Sequence, residues 1–157
     1  MAIKHYRPGD EQLNKIIAAS DLLPMMSNRK WVKLLDALVA HASEVKECRV
    51  KLLWETETQV RHLLIDEFLL YDFDYYEQAM EAMITGKPRG WYAYREIEWL
   101  EFPGVATVSE SSKPDKLVMQ AIDLLQKVID QAGLLQTSLT ADSLRVDAYL
   151  RPAQPAL

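Results

Sequence analysis

The spacing of apolar and polar positions changes period several times along the chain, and each change marks an element. Leu13, Ile16 and Ile17 form a short helical stripe, and Asp10 after Pro8-Gly9 can cap it, which predicts a helix over 11–20. Asp21-Leu22-Leu23-Pro24 ends that helix, because a proline pushes the residue before it out of the helical region. Trp31, Leu34, Leu35, Leu38, Val39 and Ala42 recur at i, i+3, i+4, i+7, i+8 and i+11. They predict a second helix over 28–43, with Ser27 as its cap. At Cys48 the period drops to two: Cys48, Val50, Leu52 and Trp54 alternate with Arg49, Lys51, Leu53 and Glu55, a half-buried strand over 48–55.

The stretch 60–71 fits a helical stripe through Val60, Leu63, Leu64, Phe68 and Tyr71, or two short strands around Asp66-Glu67. Its helical start signal is weak, so strands are expected. Asp74-Tyr75-Tyr76-Glu77 has the spacing of a capping box and opens a helix over 75–84 that Gly86 stops. After a turn at 86–90, a long strand runs from Trp91 to Phe102 and closes at Pro103-Gly104. Ser112 then caps the longest helix, with Pro114 tolerated in its first turn. Leu117, Val118, Ala121, Leu125, Val128 and Ala132 form its buried stripe, and Gly133 stops it. A last strand spans 144–150, and 151–157 is a flexible tail. Helices and strands intermix without βαβ alternation, so the expected fold is α+β: one domain over 1–150, a mainly antiparallel sheet, helices packed on one face.

Length agrees with this, since 157 residues suit one domain. The lone Cys48 excludes an intrachain disulfide framework and a cysteine-rich zinc module. No apolar run reaches the roughly 18 residues that span a bilayer, and Met1–Pro8 lacks the apolar stretch of a secretory signal. A cytoplasmic protein that binds no membrane is therefore expected. The net charge of −5 is concentrated: residues 61–112 hold ten acidic and four basic side chains, and ten of the fourteen aromatics. Such a chain repels phosphate backbones, so nucleic acid is excluded as a partner, while a basic protein surface suits it.

Chemistry-bearing residues are few. Glu96 and Glu98 lie two apart on the predicted strand, roughly 7 Å between Cα atoms, on one face with Tyr92 and Tyr94. Paired carboxylates can divide acid and base roles or hold a hard cation, and Asp72 and Asp74 repeat the spacing. Neither His41-x-x-Glu44 with Cys48 nor Gly86-Lys87-Pro88 completes a metal or phosphate pattern, and no nucleophile elbow is present. No cofactor or metal is assigned.

Tyr94-Arg95-Glu96-Ile97-Glu98-Trp99-Leu100-Glu101-Phe102, with Asn28-Arg29-Lys30-Trp31 earlier and Leu144-Arg145-Val146-Asp147-Ala148-Tyr149 later, resembles a family of short bacterial proteins of unknown function. The resemblance implies a bacterial, cytoplasmic setting and supplies no activity or catalytic residue. Two functions stay open. The first is a non-enzymatic module of the immunity or inhibitor kind, docking a basic protein through Tyr71, Asp72, Tyr75, Tyr92, Tyr94, Glu96 and Glu98. The second is a small hydrolase or transferase working through Glu96, Glu98 and Asp72, with or without a divalent ion. A homodimer burying the tyrosine-rich strand is a third arrangement.

Overall fold

The computed structural model describes residues 10–56, 61–68, 81–85, 90–110 and 112–152. Helix α1 (Asp10–Ala19) is followed by a short strand β1 (Leu23–Pro24) and helix α2 (Asn28–Ala40). Asp21 takes a left-handed conformation at φ +50° after α1, and Leu22 N–H returns to Ile17 C=O at 3.1 Å. The predicted cap of α2 is present: Lys30 N–H donates to Ser27 Oγ at 3.2 Å. Trp31, Leu34, Leu35 and Leu38 are buried as their spacing predicted. Ser27→Ala removes the acceptor of an otherwise unpartnered helix N–H. It is expected to cost about 1 kcal/mol, read as a lower urea midpoint with unchanged slope.

Strands β2 (Arg49–Leu52), β3 (Arg61–Leu63), β4 (Glu81–Thr85), β5 (Gly90–Ala93), β6 (Ile97–Pro103), β9 (Thr137–Leu139) and β10 (Ser143–Asp147) form one antiparallel sheet. Its order is β5-β4-β3-β2-β6-β10-β9. Opposed residues share a face, so Val50, Leu100 and Val146 line one side, while Arg49, Glu101 and Arg145 line the other. The apolar side joins Leu13, Trp31 and Leu35 and the buried residues of helix α3 (Ile122–Ala132) in one core. The expected α+β class, with helices on one face of an antiparallel sheet, is what the chain adopts. Strand β11 (Tyr149–Leu150) leaves the sheet to pair with β1.

Three expectations are corrected. The strand expected over 91–102 is broken, because Tyr94–Glu96 makes a 3₁₀ turn between β5 and β6. The Glu96 carboxylate folds back to accept Ala93 N–H at 2.7 Å, which fixes the turn. The helix expected over 75–84 is replaced at its C-terminal end by β4; residues 75–80 lie outside the described residues. Ile84 suited a helical stripe and equally a sheet interior, where it lies opposite both Leu63 and Gly90.

The helix expected to open at Ser112 begins only at Ile122. Before it, β7 (Val105–Glu110) and β8 (Lys113–Met119) form a separate antiparallel hairpin. Val105, Thr107 and Val108 favour extended backbone, and pairing with them overrides the helical spacing of 114–121. Leu117, expected inside, is 72% exposed.

Candidate functional site

Tyr94 stacks on Trp31 with ring centroids 5.6 Å apart, and Tyr92 lies 6.2 Å from Trp54, both inside the core. Glu96 and Glu98 are buried as well. The exposed face expected from Tyr92, Tyr94, Glu96 and Glu98 is therefore absent, since the 3₁₀ turn rotates 94–96 out of strand phase and inward. Tyr71, Asp72, Tyr75 and also Asp74 lie outside the described residues. The two glutamates serve different partners. Glu96 holds backbone, whereas Glu98 Oε1 accepts Lys51 Nζ at 2.8 Å and Arg151 Nη2 at 2.6 Å, and its Oε2 accepts Arg151 Nε at 3.1 Å. Arg151, placed by sequence in a loose tail, thus grips the sheet with a two-pronged contact.

The rest of the helix-free face is also internally paired. Glu101 sits between Arg49 at 3.8 Å and Arg145 at 2.9 Å, and the Arg145 guanidinium lies 4.1 Å from the Trp99 ring centre. One strand away, buried Glu47 receives three donors: Arg49 Nε at 2.8 Å, Thr107 N–H at 2.7 Å and His62 Nε2 at 3.0 Å. Sequence reasoning passed over Glu47 and His62, which stand fifteen apart and meet only through β2–β3 pairing.

Glu47, His62 and Cys48 lie in a groove of about 440 Å³ walled by Val45, Leu64, Ile65 and Val108. Burial pushes the Cys48 thiol far up, and neighbouring Glu47 adds to the effect, so no nucleophilic thiolate forms near neutrality. With its oxygens already accepting donors, Glu47 is a structural clamp rather than a base.

Burial pushes the Glu98 and Glu47 carboxyls up, but their bonds outweigh it and hold both below the ordinary 4.5. Arg151 and Lys51 do this for Glu98; Arg49, Thr107 and His62 do it for Glu47. Lowered folded values mean stabilisation that is complete above the unfolded value and lost as pH falls through the folded one. Asp147 carries the opposite sign: burial raises it above 3.8, so its cost to folding disappears in acid. With two groups against one, the urea midpoint is expected to stay level from these groups between about pH 7 and 5 and to fall below about 4.5. Glu98→Gln should flatten that acid limb.

The hairpin differs from the self-paired sheet face. Gln120 N–H donates to Gly104 C=O at 2.8 Å, at the hairpin base. Thr107 N–H points away from β8, to Glu47. In an antiparallel ladder these two bonds fix the phase. Thr107↔Leu117 and Val105↔Met119 are the pairs that exchange no bonds, so the N–H and C=O groups of Leu117 and Met119 point outward. Among the described residues no strand pairs with that edge. The same four residues share a face on which Val105, Leu117 and Met119 are 50%, 72% and 79% exposed.

Comparison of the chain with family models, with curated proteins and with solved structures finds no match. Among the described residues no group of three His, Cys, Asp or Glu side chains is placed to hold a metal, and no helix is long and apolar enough to cross a membrane.

Proposed function

We propose that the chain is a non-enzymatic protein-binding module whose docking element is the β7–β8 hairpin. One observation carries the reading: β8 joins an outward-facing backbone edge to an exposed face of Val105, Leu117 and Met119. Proteins ordinarily blunt or cover such an edge, and an isolated hairpin is marginal in water. The hairpin is anchored elsewhere, with Ala106 fully buried on its far face and the Thr107 N–H tied to Glu47 at the β7 edge. A rigidly mounted edge with apolar side chains suits a recognition surface.

The immunity- or inhibitor-like role expected from sequence is kept as a class but moves its surface, from Tyr71, Asp72, Tyr75, Tyr92, Tyr94, Glu96 and Glu98 to 105–119. No observation favours the carboxylate-dependent hydrolase or transferase: Glu96 and Glu98 are each committed to structural partners, and Asp72 lies outside the described residues.

The test is oxidative footprinting of Met119, with half-buried Met26 as internal reference. Met119 is expected to oxidise readily in the purified protein and to be protected, relative to Met26, in an extract of the native cells. Equal oxidation of Met119 in both samples would overturn the reading.

A further inference from the structure

Resting on that reading, we infer that the hairpin's occupant is an extended segment of a different protein, added antiparallel to β8. Opposite Met119 and Leu117 it presents, from its N-terminal side, two apolar residues two positions apart, and opposite Lys116 a carboxylate directly after the second. The backbone phase sets the first part. Leu117 and Met119 offer outward N–H and C=O groups, so an added strand bonds there and its flanking side chains fall on the face of Leu117, Met119 and Val105. Antiparallel addition matches every strand pairing among the described residues and is the more stable sense.

Charge sets the second part. Lys116 lies on the other face of β8, opposite Val108, and is exposed. An acidic residue on the incoming strand meets it across the new pair.

A second copy of this chain fits poorly. Self-pairing centred on Lys116 sets two ammonium groups opposite each other about 4.5 Å apart at the backbone. Centred on Asp115 it opposes two carboxylates, centred on Leu117 it places Asp115 against Met119 twice, and centred on Val118 it pairs Leu117 with Met119 but sets each Lys116 against Gln120 with no counter-charge. The apolar patch is also small. Three side chains expose on the order of a few hundred Å², short of the roughly 800 Å² per partner of a stable dimer. A single strand needs no more than this edge.

The experiment titrates the ¹⁵N-labelled chain with a short capped peptide, Lys-Thr-Val-Thr-Val-Glu-Thr, to millimolar concentration. The Leu117 and Met119 amides are expected to shift and to exchange more slowly with solvent. Replacing the peptide's Glu with Lys should weaken binding about threefold, and Lys116→Glu in the protein should reverse that preference. Leu117→Pro removes an outward donor but no bond of the hairpin, so it should abolish the shifts while the remaining spectrum keeps its dispersion. Shifts elsewhere, shifts that survive Leu117→Pro, or β8 shifts that follow the protein's own concentration would each overturn the inference. Protection of Met119 in extract together with a silent peptide titration would leave the binding reading standing and sink the strand-addition chemistry alone.

Discussion

Glu98→Ala is expected to lower the unfolding free energy by about 3–5 kcal/mol, the larger of two expected effects and the one that separates a structural glutamate from a functional one. Lys51 and Glu98 have side chains only 4% and 5% exposed, 2.8 Å apart. Removing the carboxylate leaves the Lys51 ammonium in the interior with, among the described residues, only the Leu52 carbonyl at 3.4 Å. Arg151 is half exposed and recovers water, so most of the loss belongs to Lys51. Urea unfolding measures it: the midpoint should fall sharply with little change in slope. A double replacement, Lys51→Met with Glu98→Leu, should recover most of the loss, since two apolar groups leave no buried charge behind. A Glu98→Ala protein as stable as the parent would show that the carboxylate is free for other chemistry.

Gln120→Ala is the second. This buried side chain ties three segments: Oε1 accepts Lys46 N–H at 2.6 Å and Glu47 N–H at 3.0 Å, while Nε2 donates to Glu47 C=O at 3.1 Å and Pro103 C=O at 2.8 Å. Truncation strands backbone groups at the start of β2 and the end of β6, each worth about 1–3 kcal/mol when buried. A loss of about 3 kcal/mol or more is expected. Its signature should be local: the Ala106 and Val118 amides of the hairpin should exchange faster than those of Leu100 and Val146 in the sheet. Gln120→Glu should be no rescue, because a carboxylate supplies neither donor that the two carbonyls need.

The elements legible in the sequence are those whose apolar period agrees with their final environment. Trp31 to Leu38 repeat at helical spacing and are buried on one side, and Leu144 with Val146 alternate and are buried in β10. Where local pattern and tertiary pairing compete, pairing wins. Residues 114–121 carry a cap, a tolerated proline and a helical stripe, but 105–110 next to them supply a partner strand. The turn at Tyr94–Glu96 was hidden because alternation of Tyr92, Tyr94, Glu96 and Glu98 looks like one continuous strand. Only the back-bonding Glu96 distinguishes the two, and a glutamate three residues after Ala93 is a faint cue. The candidate site was illegible for the same reason, since its phase depends on Glu47 meeting Thr107 sixty positions away.

The outward edge of β8 has a consequence for handling the protein. Lys113, Pro114 and Lys116 guard the first half of the strand, and nothing comparable stands beyond Leu117. Preparations that still hold partly unfolded chains of other proteins should therefore lose clarity by capture on that edge, long before this protein itself unfolds. In the cell, colloidal stability would follow how fully the binding partner keeps pace with synthesis.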